Sequence, residues 1–222
     1  MIHILTGPFG SGKTELAINL ALHLKNAEED VSLVDLDVIT PYFRIRDVAD
    51  FLSEKGIDVV TVKRELRHVD LPILPQRLVE LFTQRERHVV VDLGGDDDGA
   101  RVISSLKPLL DGRQVRAYFV VNVFRPFNET VEEICQNIGR LSSRSRLRFN
   151  ALVNNANLGD QSTEEIVALG ERMVSEVSKV TELPVQWTVL SEELAERLNF
   201  SAFKYPVFVI KRFMRVSWED RR

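Results

Sequence analysis

The chain is poor in residues that build covalent or metal frameworks. One cysteine, Cys135, in 222 residues excludes an internal disulfide and cannot hold a metal or iron–sulfur centre alone. It falls inside an amphipathic helical pattern and reads as a small buried hydrophobe. Four histidines, His3, His23, His68 and His88, are scattered without ligand-like spacing, so no transition-metal site is expected. Excess positive charge is missing too. Twenty-nine Lys and Arg against 33 Asp and Glu leave a net charge of −4, which argues against a dedicated nucleic-acid binder. No apolar run approaches the ~20 residues of a membrane-spanning helix, and the start is strand-like rather than a charged-then-apolar leader. A soluble, cytoplasmic protein is expected.

What is present is apolar and alternating. Hydrophobic residues make up 44%, enough for a core that needs no staples. Short β-branched runs at 2–6, 31–37, 57–62, 88–94, 115–123, 148–155 and 184–190 read as strands too uniformly apolar for a sheet wet on one face. Between them, 13–25, 75–86, 128–143 and 162–180 carry the i, i+3, i+4 spacing of one-sided helices. Asn128 with Glu132, and Ser162 and Thr163 with Glu164 and Glu165, are cap-like starts. Strand–helix alternation predicts a three-layer α/β/α arrangement on a mostly parallel sheet. With no repeat or linker, residues 1–222 are expected to form one domain.

Gly7-Pro8-Phe9-Gly10-Ser11-Gly12-Lys13-Thr14 matches G-x-x-x-x-G-K-[ST] between a predicted strand and a predicted helix, the context this phosphate-binding loop requires. Backbone N–H groups at the helix start converge on phosphate oxygens, and Gly10 and Gly12 remove side chains that would block the approach. Lys13 supplies a point charge for the β- and γ-phosphates, and the Thr14 hydroxyl is a Mg²⁺ ligand. Gly7, Phe9, Gly10, Ser11 and Gly12 complete the nucleotide contacts expected here.

Two acidic strand ends supply the remaining chemistry. Asp92-Leu93-Gly94-Gly95 has the form D-x-x-G, with Asp92 in the Mg²⁺ shell and the Gly95 N–H sensing a γ-phosphate; the alternative is that Asp92 only caps the next helix. Asp35 and Asp37 are read as pointing to opposite sides of their strand, with Asp37, nearer its end, facing the nucleotide. There it orients or deprotonates the attacking water or joins the Mg²⁺ shell, so Lys13 and Asp37 are the catalytic candidates. Arg44 or Arg46 could clamp phosphate, or belong to a surface turn. Asp96, Asp97 and Asp98 read as a solvated loop, with Asp96 nearest the metal, and His68 lies in a segment that could face a substrate or partner.

Asn154-Asn155-Ala156-Asn157 follows a strand where related folds place N-K-x-D. Asn154 fits the base-contacting asparagine, but Asn157 replaces the aspartate that would accept from guanine, so ATP is expected rather than GTP. A polar turn is the alternative.

The GPFGSGKT loop, the D-L-D strand end at 37, the D-L-G-G at 92–95 and the Asn154 loop resemble, in order, the CobQ/CobB/MinD/ParA nucleotide-binding group. That resemblance implies a P-loop NTPase fold, Mg²⁺-ATP, and a homodimeric ATPase switch acting on a protein partner. Pro8 stands where MinD- and ParA-like loops carry an extra lysine, which leaves open an ATP-dependent kinase or ligase like CobB or dethiobiotin synthetase. The loop is also similar to that of the nickel-chaperone GTPases, although the N-K-x-D and metal motifs of that family are absent. The tail 203–218 is loosely like the amphipathic tail of MinD-type proteins; Pro206 and the following Val-Phe-Val-Ile favour an edge strand over a membrane attachment.

Overall fold

The computed structural model describes residues 1–37, 45–61 and 76–213. Alternation of strand and helix yields one parallel sheet of eight strands among these residues, in the order β3-β2-β4-β1-β5-β6-β7-β8. The strands are β1 (Ile2–Thr6), β2 (Val31–Leu36), β3 (Asp58–Thr61), β4 (His88–Leu93), β5 (Val115–Val121), β6 (Ala151–Asn154), β7 (Val185–Ser191) and β8 (Val207–Ile210). Helices α1 (Lys13–Asn26), α2 (Ala49–Glu54), α3 (Gln76–Thr83), α4 (Asp97–Ser105), α5 (Lys107–Leu110), α6 (Val131–Ser145), α7 (Glu164–Thr181) and α8 (Glu192–Ala195) lie between them. This is the expected α/β architecture.

Period-2 alternation divides the strand residues between two cores. Ile2, Ile4, Val34, Val89, Val91 and Phe119 pack with α3, α4, α6 and part of α7. Leu5, Leu33, Val90, Tyr118 and Val120 pack with α1 and with Leu52 of α2. Each Val, Leu or Ile so buried contributes about 1.5–3 kcal/mol. The central strands are covered on both faces, which is why their sequences are continuous apolar runs rather than alternating ones.

Three local expectations are corrected. Residues two apart on a strand share a face, which removes the basis for divergence, and Asp37, one residue past the end of β2, turns back so that its N–H donates to Asp35 Oδ1 at 3.0 Å. Val31 and Leu33 belong to the core under α1 and Asp35 continues that row, directly opposite Asp92 in the β2–β4 register. The start of α6 is capped by Thr130, which accepts from the Glu133 N–H at 3.2 Å, not by Asn128. Asn128 is fully buried, and neither end of its amide has a hydrogen-bond partner. The run Asp96–Asp98 is no solvated loop. Asp96 is the N-cap of α4, accepting from the Gly99 N–H at 2.8 Å, and Asp97 pairs with Arg140 at 2.8 Å and with Arg144. Carboxylates at this end of a helix meet its positive dipole, which explains a triple acidic run beside buried structure.

The tail forms β8, an edge strand as expected, parallel to β7. Buried Glu171 of α7 secures the crossover, accepting from the Thr188 hydroxyl at 2.5 Å and the Lys204 N–H at 3.0 Å. No described helix is long and apolar enough to cross a membrane.

At the opposite end of the sheet from the strand C-termini, His3 is 5% exposed, with Nδ1 3.3 Å from the Tyr118 hydroxyl and Nε2 3.1 Å from His88 Nδ1. Burial, followed by His88, the chain amino group and Arg116, lowers its pKa to about 4. The unfolded chain, with an ordinary value near 6.5, therefore takes the proton first, and stability falls as pH drops from about 6.5 towards 4. Between pH 7.5 and 5 this group alone should remove about 2 kcal/mol. Urea unfolding of His3→Gln should show an acid-side loss smaller by about that amount; parallel losses in both proteins would refute the assignment.

Candidate functional site

Strand β1 stops at Thr6, and the turn 7–12 delivers the chain to α1. Gly12, at φ 86°, starts the helix in a left-handed conformation, and a Cβ there would lie 2.2 Å from Asn155 Nδ2. That close approach is used: Asn155 donates to the Ser11 carbonyl at 2.7 Å, tying the end of β6 to the loop. On the other side Arg125 Nε donates to the Gly10 carbonyl at 3.1 Å. Within the loop, the Ser11 N–H reaches the Pro8 carbonyl at 3.1 Å, while the buried Ser11 hydroxyl has no partner. The first N–H groups of α1 have no intrahelical acceptor, so they face the mouth of the turn as donors. Neither Asn155 nor Arg125 was assigned a role from the sequence. Their signal was position only: each follows a strand next to β1 or one removed from it.

The acidic groups converge on the same place. Lys13 Nζ lies 3.1 Å from Asp37 Oδ2, with both side chains nearly inaccessible. The Thr14 hydroxyl is near enough to the Asp92 carboxylate to favour its charged form, and Asp92 Oδ1 is buried and without a partner. The Asp37 N–H donates to Asp35 Oδ1 at 3.0 Å, and the charges of Asp35 and Asp37 both act on Asp92. Burial pushes the Asp92 carboxyl well above the ordinary carboxylate range; Lys13 opposes the shift and Asp35 and Asp37 add to it. For Lys13, burial disfavours the charge, but Asp37, Asp92 and Asp96 together overcome it and leave the pKa raised.

Three carboxylates around one ammonium, with one carboxylate oxygen unsatisfied beside a threonine hydroxyl, are a donor set for a hard divalent cation. The residues present therefore fit Mg²⁺ held by Thr14 and Asp92, with water and substrate oxygens filling the shell. No group of three or more His, Cys, Asp and Glu among the described residues is arranged to hold a metal by itself.

Gly95 is pressed against the phosphate loop: a Cβ there would fall 1.9 Å from the Gly7 carbonyl oxygen. Gly7 in turn has no room for a side chain, because its Cβ would sit 2.4 Å from the Val120 carbonyl oxygen. Beside these loops opens a cleft of about 620 Å³, lined by Pro8, Phe9, Lys13, Asp37, Gly95, Phe127 and their neighbours. Phe9 and Phe127 stand at its rim, 71% and 72% exposed.

Of the predicted site residues, Gly7, Phe9, Gly10, Ser11, Gly12, Lys13, Thr14, Asp37, Asp92 and Gly95 come together at this one end of the sheet. Asp96 lies there too, as a helix cap close enough to influence Lys13. Asn154 does not offer its amide to the cleft. It is fully buried, donating to the Val167 carbonyl at 3.2 Å and accepting from the Ala156 N–H at 3.2 Å. Asn157 donates to the Asn155 carbonyl at 2.7 Å and accepts from the Gly159 N–H at 3.3 Å. Arg44 and His68 lie outside the described residues, as does the side chain of Arg46.

No family model and no curated protein matches the chain. Solved structures do. A nucleotide-binding protein in complex with ADP from Archaeoglobus fulgidus is 16% identical, with a TM-score of 0.52 over 88% of this chain and 83% of that one. Chloroplast FtsY from Physcomitrella patens is 12% identical, with a TM-score of 0.54 over 83% of this chain. The signal recognition particle receptor FtsY from Elizabethkingia anophelis is 16% identical, with a TM-score of 0.52 over the same share. The match spans 57% of each FtsY chain, less than two thirds of its length. Likeness at these identities carries the P-loop NTPase fold and does not single out the CobQ/CobB/MinD/ParA group.

Removing the Lys13 ammonium should take a buried counter-charge from Asp37 and Asp92. Lys13→Met is expected to lose about 3 kcal/mol or more of unfolding free energy at pH 8. The deficit should shrink as the pH is lowered and the carboxylates protonate. Denaturant unfolding at pH 8 and pH 5 checks this, and a variant as stable as wild type at pH 8 would show that the pair is not buried as described.

Proposed function

We propose that the chain binds a Mg²⁺-nucleoside triphosphate and hydrolyses it, taking ATP in preference to GTP, and that the bound state acts as a switch on a protein partner. The observation that carries the reading is the convergence of the phosphate loop and Lys13 with the Thr14–Asp92 pair, whose outer carboxylate oxygen is unsatisfied. Mg²⁺, when bound, neutralises charge on the β- and γ-phosphates.

The chain's own residues divide the remaining work. Amides at the start of α1 cradle the phosphates, and Lys13 exchanges Asp37 for phosphate oxygen. That exchange releases the Asp37 carboxylate next to the reacting phosphorus, where it orients the attacking water or accepts its proton. Gly95, in contact with Gly7, is placed to register the γ-phosphate through its N–H. Preference for ATP rests on the missing carboxylate at position 157: Asn157, like Asn154, is hydrogen-bonded to backbone groups, and neither offers guanine an acidic acceptor. A cytoplasmic setting and a homodimeric active form belong to the same proposal, as does kinship with the CobQ/CobB/MinD/ParA group.

A second reading, an ATP-dependent kinase or ligase for a small molecule, is favoured by one observation. The cleft beside Lys13 and Asp37 is about 620 Å³ and carries two exposed phenylalanines at its rim, room and surface for an acceptor. ATP turnover without any added metabolite supports the switch, and strict metabolite dependence supports the transferase.

Calorimetry with Mg²⁺ should show ATP bound more tightly than GTP by about tenfold or more, a difference of about 1.4 kcal/mol that falls within the ~1–3 kcal/mol expected of the base mismatch. Lys13→Ala should abolish both signals. Asp37→Ala should keep ATP binding and cut phosphate release by about a hundredfold or more. GTP bound more tightly than ATP sinks the base assignment, and unchanged turnover in Asp37→Ala removes that residue from its role.

A further inference from the structure

Three successive peptide groups join Gly10 to Lys13, and each is held in a different way. In the first, the Gly10 carbonyl accepts from Arg125 Nε at 3.1 Å and the Ser11 N–H donates to the Pro8 carbonyl at 3.1 Å, so both ends are spent. In the third, the Gly12 carbonyl accepts from the Leu16 N–H at 3.0 Å, the bond that opens α1. The middle group, between Ser11 and Gly12, belongs neither to the turn nor to the helix. Its carbonyl accepts from the side chain of Asn155, at 2.7 Å.

A planar trans peptide points its C=O and its N–H in opposite directions. Holding the Ser11 carbonyl towards Asn155 therefore turns the Gly12 N–H away from it, to the side on which the first amides of α1 are open. The Gly12 N–H has no acceptor among the described residues, so it stands as a donor waiting for one. Gly12 also makes the contact possible, since a Cβ on it would lie 2.2 Å from Asn155 Nδ2.

Asn155 is itself fixed. Its N–H donates to the carbonyl of Val121, the last residue of β5, at 2.8 Å, and its own carbonyl accepts from Asn157 Nδ2 at 2.7 Å. With 4% of the residue exposed, the amide is set in place before any ligand arrives. Only the NH₂ end of that amide can face a carbonyl, so the position calls for a donor.

We propose that Asn155 is a positioning residue for phosphate: by drawing the Ser11 carbonyl outward it aims the Gly12 N–H at a phosphate oxygen. The inference rests on the nucleotide-binding reading above. It gives this residue after β6 a task on the phosphates, which every nucleotide shares, and none on the base.

The test compares Mg²⁺ complexes of ATP, GTP and inorganic tripolyphosphate by calorimetry on the full chain. Asn155→Leu keeps the bulk and removes the donor. It should weaken all three ligands by one common factor of about tenfold or more, as for a lost hydrogen bond to a charged oxygen. In protein labelled with ¹⁵N-glycine, tripolyphosphate should move the Gly12 N–H resonance downfield in the wild type and not in Asn155→Leu; a purely structural role would leave that shift intact. Asn155→Asp adds a pH profile. Its carboxylate has no proton to offer Ser11 at pH 8, but the protonated carboxyl at pH 5 donates again. Affinity relative to wild type at the same pH should then return past the level of Asn155→Leu. Should Asn155→Leu fail to fold, the two pH values of Asn155→Asp carry the comparison.

Affinities within twofold of wild type in these variants overturn the proposal, as does an unaltered Gly12 shift or an Asn155→Asp deficit that is the same at both pH values. A loss confined to the two nucleotides overturns it as well, because it marks a contact with the base. In each of those cases wild-type binding stands and the underlying reading survives. Wild-type protein that binds none of the three ligands overturns that reading too.

Discussion

A single ammonium holds together the most heavily charged part of this molecule. Lys13 is buried with Asp37 at 3.1 Å and stands within electrostatic reach of Asp92 and Asp96. Isolated charges are costly to bury, and Lys13 is the described cation that faces several carboxylates at once. Proton uptake by Asp92, whose pKa is raised, relieves part of that cost. Added positive charge would relieve it further, and phosphate entering the loop would reverse the balance by competing for the same lysine. The site is thus built to respond to both a cation and an anion, and each makes room for the other.

The scaffold makes this concentration of charge possible through register rather than through loops alone. Parallel pairing of β2 with β4 sets Asp35 directly across from Asp92, and pairing of β4 with β1 sets Asp92 across from Leu5, one residue before the strand ends. The carboxylates therefore arrive at the phosphate loop on rigid strands whose positions are fixed by two apolar cores. Outside the loop, Asn155 and Arg125 hold its backbone from neighbouring connections.

Much of this was legible in the amino-acid sequence. The phosphate loop, the parallel α/β architecture and the edge strand at Val207–Ile210 follow from local pattern, because buried parallel strands and one-sided helices leave unmistakable periodicities. Thr14 and Asp92 were each named from a motif, and the fold brings them near enough for Thr14 to favour the Asp92 charge. Other features were not. Placing Asp35 and Asp37 on opposite faces misapplied the strand period; the Asp37 N–H donates to the Asp35 carboxylate and both charges act on Asp92. Asp96–Asp98 looked like solvent-exposed charge because the helix that absorbs it begins with acids, and like-charge repulsion was weighed without the helix dipole. Asn154 has the residue type of a base contact, but its amide is consumed by backbone groups that only tertiary packing brings near.

The abutment of Gly95 on Gly7 has a mechanical consequence. With no side chain between them, the two backbones stand in close contact, so the phosphate loop has no room to shift towards Gly95 unless Gly95 shifts with it. Gly95 adjoins the Asp96 cap of α4, and Asp97 in the first turn of that helix grips Arg140 and Arg144 of α6. In the switch proposed above, occupancy of the crevice at the ends of the strands would reach these two surface helices through that contact, with its input at the ligand and its output facing whatever binds outside.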